Sequence, residues 1–163
     1  MSASVLEQTQ AVRACLFQLA GESFAVEVRW AREVVVFEDY TVVPKAPAHV
    51  VGVANLRGSI IPILDVRAIL GLPGYQKVGR GSTALVISEG GVQAALAIEG
   101  ILGLESFDEV VPFGEAGRKE FGEFGVGLLR RGEGLVTLLD VPKLLEALRI
   151  GAGQTVAVRG GEA

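Results

Sequence analysis

The chain has 163 residues, half of them apolar, and its 15 Lys and Arg against 19 Asp and Glu leave a net charge of −4. Mean hydropathy is high at +0.45, yet charges cut every apolar run well short of the roughly 20 residues that a membrane helix needs. An acidic chain without a basic cluster excludes nucleic acid as the expected partner, and a lone cysteine, Cys15, excludes a disulfide framework.

Residues 1–12 read as a loose leader with neither the basic start nor the apolar core of a signal peptide, which predicts a cytoplasmic protein. The length allows one domain, or two very small halves around one core. Twenty-two glycines and only six prolines fit many short strands joined by tight turns. Two readings of the apolar excess stay open: apolar surface kept for partners, or an all-β core that buries valine on both faces.

In chain order, Cys15, Phe17 and Leu19 share one face of a strand over 14–20, and Gly21-Glu22-Ser23 makes a turn. Phe24, Val26 and Val28 share a face of the return, so residues 14–28 predict a β-hairpin. Arg29 to Arg32 is one helical turn or a bulge. Glu33 to Phe37 and Thr41 to Val43 are strand candidates. Pro44-Lys45-Ala46-Pro47 is a stiff connector, because each proline fixes its own φ and biases its predecessor to extended geometry. The stretch from 50 to 72 organises the rest. It has an apolar approach broken by Gly52, a polar turn over Asn55-Leu56-Arg57-Gly58, and a β-branched strand over 59–64. Asp65 is then placed to cap a short helix with Val66, Ile69 and Leu70 on its apolar face, stopped by Gly71 and Pro73.

Pro73 to Gly81 reads as a loop. Strands are predicted over Thr83 to Ser88 and Val92 to Glu99, around a Glu89-Gly90-Gly91 turn, and over Leu102 to Leu104, Glu109 to Pro112, Phe124 to Leu129 and Leu135 to Leu139. Gly114 to Glu123 reads as a charged connector. Asp140 caps a last helix, with Pro142 in its first turn and Leu144, Leu145 and Leu148 as its stripe. Residues 151–163 read as a tail in which Thr155 to Val158 is a candidate edge strand.

A weak internal duplication runs through this series. Ile60-Ile61-Pro62-Ile63-Leu64-Asp65-Val66 matches Leu135-Val136-Thr137-Leu138-Leu139-Asp140-Val141. Ala25-Val26-Glu27-Val28 matches Ala95-Leu96-Ala97-Ile98, and Val42-Val43-Pro44 matches Val110-Val111-Pro112. The prediction is a mostly β fold: two five-stranded SH3-like β-barrel subdomains packed around a shared core, with short helices including a C-terminal one. The first barrel is expected to hold mainly residues 24–82, and the second mainly 14–20 and 83–140, with the helix over 140–150.

Catalytic chemistry finds little footing. His49 is the only histidine and has no carboxylate or cysteine at metal spacing. No Gly-x-Ser-x-Gly elbow exists for a Ser–His–Asp set, and Cys15 alternates with Phe17 and Leu19 as a core thiol does. Gly79-Arg80-Gly81-Ser82 lacks the lysine and the preceding strand of a phosphate loop. Glu105, Asp108 and Glu109 read as a solvated acidic turn. No catalytic residue, metal or cofactor is predicted, and a small hydrolase using Cys15 or His49 is the enzyme alternative. Binding is what remains. Arg57, at a turn feeding a core strand, needs a carboxylate partner or a surface to bind. Trp30, between Arg29 and Arg32, is either an exposed hot spot or the plug of a barrel end.

These residues resemble the CheW family of bacterial chemotaxis coupling proteins, over roughly residues 13–150. The resemblance rests on Gly52-Val53-Ala54-Asn55-Leu56-Arg57-Gly58, then Ile60-Ile61-Pro62-Ile63-Leu64-Asp65-Val66-Arg67 and Leu70-Gly71-Leu72. Phe24-Ala25-Val26, Arg32-Glu33-Val34 and Thr41-Val42-Val43-Pro44 precede them in the family's order. It implies two barrels around a common core and neither catalysis nor cofactor. It also implies a cytoplasmic adaptor, recruited to membrane-associated receptor arrays without inserting into the membrane. Such an adaptor couples the cytoplasmic tips of methyl-accepting chemotaxis receptors to the regulatory domain of a CheA-type histidine kinase.

The resemblance further implies that Glu33 and Arg57 pair and support receptor coupling. A receptor-binding groove would take in Val28, Trp30, Ala31, Glu33, Val34 and Arg57, together with Ile98 and Leu102. The kinase would meet Tyr40 and Thr41 on one barrel and Phe107, Val110 and Val111 on the other. Trp30 is bulkier than the resemblance leads one to expect, and Arg130-Arg131-Gly132 stands where the first unit has Asn55-Leu56-Arg57. These departures keep open a paralogue serving twitching, gliding or another two-component pathway.

Overall fold

The computed structural model describes residues 11–72, 78 and 81–147. Strand β1 (Val12–Leu19) carries the principle of the fold. Its Ala14 and Leu16 belong to one apolar cluster, and its Cys15, Phe17 and Leu19 to another. Side chains alternate along a strand, so burial of both sets requires cover on both faces of the sheet. Strand β2 (Glu22–Glu27) repeats the pattern, with Ala25 in the first cluster and Phe24 and Val26 in the second.

A 3₁₀ turn over Val28–Trp30 leads to β3 (Ala31–Phe37), β4 (Val50–Leu56), β5 (Ser59–Leu64), β6 (Ser82–Glu89) and β7 (Val92–Ile98). Strands β8 (Gly100–Phe107), β9 (Gly125–Arg131) and β10 (Gly134–Leu139) complete the series. They form two five-stranded sheets, ordered β8-β1-β2-β10-β9 and β3-β6-β7-β5-β4. Each sheet encloses its own small core, Leu16, Ala25 and Leu138 in one and Phe37, Ile63 and Val86 in the other. A third and larger cluster lies between the sheets and takes in Phe17, Phe24, Leu85 and Leu96. Among the described residues three short helices accompany them: α1 (Val66–Leu70), α2 (Glu115–Phe121) and α3 (Val141–Glu146). Among the described residues, no helix is long and apolar enough to cross a membrane.

The fold class is the one expected, but the division of the chain between the sheets differs. β6 and β7 belong with β3, β4 and β5, and β2 stays with β1 in the other sheet. The cause is a pair of parallel contacts, β2 with β10 and β7 with β5, between strands that no local pattern links. Gly114 to Glu123 is not a mere connector: α2 is anchored there by Phe121, whose ring meets Phe24 edge-on at 5.8 Å. Val12 opens β1 rather than closing a leader. Residues 1–10, the loop positions 73–77, 79 and 80, and everything from 148 onward, including Leu148 and Thr155 to Val158, lie outside the described residues.

The duplication holds at the level of register. Ala25 sits opposite Leu138 and Ala95 opposite Ile63, which are the same matches the sequence makes. Asp65 and Asp140 donate their N–H to the carbonyls of His49 and Phe124, each at 2.8 Å. Their carboxylates then cap α1 and α3 by accepting from Arg67 N–H and Lys143 N–H, each at 3.1 Å. The third match shifts by two residues. Lone bridges join Thr41 to Val53 and Val111 to Leu128, so Thr41 rather than Val43 is the counterpart of Val111. The strands expected over 41–43 and 109–112 shrink to these bridges.

Candidate docking surfaces

Register fixes where each candidate side chain stands, because directly opposed residues on an antiparallel ladder share a face. Val34 lies opposite Leu85, a member of the cluster between the sheets. It therefore stands on the face that its sheet turns toward the other, but on an edge strand that the second sheet leaves 47% exposed. Leu104 lies opposite Cys15 of the same cluster and is 59% exposed. Val36 and Ile101 are exposed beside them. The 3₁₀ turn touches both β1 and β6, the strands next to β8 and β3. An apolar margin thus borders the central core on each sheet.

Of the expected groove residues, Val28, Trp30, Ala31 and Val34 belong to this margin. Trp30 shares the character of both readings: it is half-buried against the central cluster, and the guanidinium of Arg29 covers its ring at 4.0 Å. Ile98 is only 7% exposed and forms part of the core beneath. Leu102 packs against the second barrel's own core. The exposed apolar side chains on that strand are Ile101 and Leu104, which sequence reasoning missed because a bulge between Leu16 and Phe17 shifts the β1–β8 register.

Glu33 points the other way. It lies opposite Val86, within the first barrel's own core, so it does not share a surface with Val34. Arg57 begins the β4–β5 turn with φ +51°, followed by Gly58 at +88°. Both terminal nitrogens of Arg57 donate to the Glu33 carboxylate, Nη2 to Oε1 at 2.6 Å. These hydrogen bonds, with the arginine's charge, hold the Glu33 carboxyl below its ordinary range and raise the Arg57 guanidinium above its own. Since β3 and β4 are the two edges of one sheet, the pair latches edges that share no ladder. The second sheet has a matching latch between its edges: Arg131 Nε on β9 donates to Glu105 Oε2 on β8 at 2.6 Å. Glu105 is thus paired across its barrel rather than part of a solvated acidic turn.

Between the Glu33–Arg57 latch and the Thr41–Val53 bridge, β3 and β4 part around a cleft of about 480 Å³. Val35, Phe37, Ala54, Leu56 and Ile61 line it, with Tyr40 and Thr41 at its mouth and Glu38 and Asp39 on the rim. Tyr40 meets Phe37 edge-on at 6.1 Å, and its hydroxyl donates to the Val78 carbonyl at 3.3 Å. The same registers make Phe107, Val110 and Val111 the counterparts of Phe37, Tyr40 and Thr41. On that barrel Phe107 is buried, while Val110 and Val111 are half-buried. The expected kinase-contact residues therefore occupy equivalent ends of two barrels.

The CheW-like domain family matches residues 13–149. The chain belongs to that family. It is 25% identical over 144 residues to the chemotaxis protein CheW of Klebsiella aerogenes, covering 87% of this chain and 86% of that protein. It is 30% identical over 91 residues to the protein PilI of Pseudomonas aeruginosa, covering 56% of this chain and 51% of that one. In fold it matches the scaffolding protein TtCheW from Thermoanaerobacter tengcongensis with a TM-score of 0.76 at 22% identity, over 90% of this chain and 98% of that one. Against this CheW-like frame the two residues of the enzyme alternative have structural employment. Cys15 is 4% exposed, and burial pushes its thiol pKa up. His49 Nε2 lies 3.3 Å from the Ala147 carbonyl at the end of α3.

Proposed function

We propose that this CheW-like chain is a non-enzymatic adaptor of chemotaxis signalling. It couples the cytoplasmic tips of methyl-accepting chemoreceptors to the regulatory domain of a CheA-type histidine kinase, in the cytoplasm at receptor arrays and without a cofactor. The observation that carries this reading is the two-sided edge strand β3. One side offers exposed Val34 and Val36 on the inter-barrel margin, and the other lines the latched cleft with Val35 and Phe37. A receptor helix lays its apolar stripe on the margin, and the kinase docks at the barrel end around Tyr40 and Thr41. One strand then feels both partners, so occupancy of one site biases the other, and the coupling is reciprocal. Each contact is small, and arrays supply strength through effective concentration.

Arg57→Ala tests this. The variant is expected to stay folded, to keep its thermal midpoint near that of the parent, and to lose most receptor-dependent kinase activation in membranes that carry the host's receptors. Activation equal to that of the parent would contradict the reading. The similarity to PilI favours one second reading, an adaptor of the same mechanics serving pilus-based motility. Identification of the kinase that co-purifies with the tagged chain separates the two.

A further inference from the structure

Apolar contact alone cannot orient a guest on this margin, because the duplication makes its two ends alike. Val34 and Leu104 are counterparts, each opposite a residue of the central cluster, and burial of apolar surface is non-directional. Charge breaks the symmetry. Glu27 sits opposite Ala14, so the chain enters the 3₁₀ turn beside Arg13. Arg29 lies in that turn, and Arg32 Nη1 donates to the Arg29 carbonyl at 3.4 Å. Three exposed arginines, far from any basic run in sequence, thus gather where the turn touches β1 and β6. The match of Ala25 with Ala95 places Thr83, Glu99 and Leu102 at the corresponding positions of the other end. There the Glu99 carboxylate accepts the N–H of Ala20 at 2.6 Å and of Gly21 at 3.2 Å.

We infer that Arg13, Arg29 and Arg32 form an anion-recognition site at one end of the margin. It takes carboxylates that flank the apolar stripe of a guest helix and so sets the direction in which that helix lies. The inference rests on the receptor-groove reading above and adds the guest's charge and polarity. Arg29 is partly satisfied, through Glu27 at 3.2 Å and the Trp30 ring. Arg13 and Arg32 make no ion pair among the described residues, and they are the cations free to meet a partner. Rim charges of this kind contribute more to orientation and association rate than to affinity.

The test uses the full-length chain and two short helix-stabilised peptides with the same leucine stripe at i, i+3, i+4 and i+7. One peptide carries glutamates and the other lysines beside the stripe at one end. Trp30, the only tryptophan, reports binding by its emission, and anisotropy of labelled peptide is the second readout. The glutamate peptide is expected to associate faster and to bind about three- to ten-fold more tightly than the lysine peptide at low salt, through attraction in one and like-charge repulsion in the other, with the advantage shrinking at high salt. Arg13→Glu with Arg32→Glu is expected to reverse the preference, and Arg13→Gln with Arg32→Gln to erase it without reversal. Equal binding of the two peptides by the parent chain overturns the inference and leaves the groove reading in place. Binding of neither overturns the groove reading, and the inference with it.

Discussion

Arg57 occupies a backbone conformation that disfavours any residue with a Cβ, and its counterpart in the duplicate is glycine, Gly132 at φ +60°. The first barrel has an arginine where the second has glycine, and the second barrel's latch is made by the neighbouring Arg131. A strained residue at one of two equivalent turns supports the role proposed above for Arg57. The latch is also pH-dependent in a definite sense. Because the Glu33 pKa is lowered in the folded chain, the pair stabilises fully above the ordinary carboxylate value and loses its contribution as pH falls through the lowered one. The pair is exposed and screened by solvent, so urea midpoints of the parent and Glu33→Gln should differ only by a small constant amount from pH 6 to 8 and converge in acid. Ala20 offers the opposite case: at φ +52° it matches Gly90 at +58°, and Glu99 props up the turn. A left-handed backbone costs an L-residue about 1–2 kcal/mol, and glycine returns roughly 0.5–1 kcal/mol of that as chain entropy. Ala20→Gly should be neutral or stabilising by up to about 1 kcal/mol in chemical denaturation.

Elements pair through two glycines that the duplication preserves. A Cβ on Gly52 would press into the Thr41 carbonyl, and one on Gly127 would lie 2.7 Å from the Val111 oxygen and 2.6 Å from Val110 Cγ1. Both positions let the chain cross an edge strand closely, at the two isolated bridges. Gly52→Ala and Gly127→Ala should each cost about 1–3 kcal/mol or more, as overpacking does, measured by urea unfolding; unchanged stability would show that the crossings are loose. At this scale the sequence was most readable where pattern is local. The hairpins, the Asp65 and Asp140 caps and the repeat all follow from alternation and turn chemistry. Strand partners were not readable, since the parallel β2–β10 and β5–β7 pairs join distant segments. Helix α2 hid behind its glycines and charges. The groove was legible in part: Val34 and Glu33 are neighbours in sequence and were assigned to one surface, whereas alternation sends them to opposite faces of β3. The Glu105–Arg131 latch had one signal, the equivalence of Arg57 with Gly132, and that signal points one residue away from the arginine that makes the bond.

For the molecule as a whole, the central cluster makes two small barrels one body. Neither sheet covers both faces of its strands alone, and Phe17, Phe24, Leu85 and Leu96 are buried in a cluster that draws on both sheets and on the helices, Phe121, Val66 and Leu144 among them. On the proposed reading, such an arrangement holds the margin and the barrel end at a fixed separation, which is what a coupling protein needs to pass a signal between partners. The most direct test of that claim is to introduce Val34→Asp with Leu104→Asp, both at exposed positions. Binding is then measured separately to receptor-bearing membranes and to the isolated kinase regulatory domain. An unpaired carboxylate in an apolar contact carries a desolvation cost of several kcal/mol. The account predicts that membrane binding falls at least about ten-fold while kinase-domain binding stays within experimental error of the parent. Retention of both interactions, or loss of both in a variant that remains folded, would contradict it.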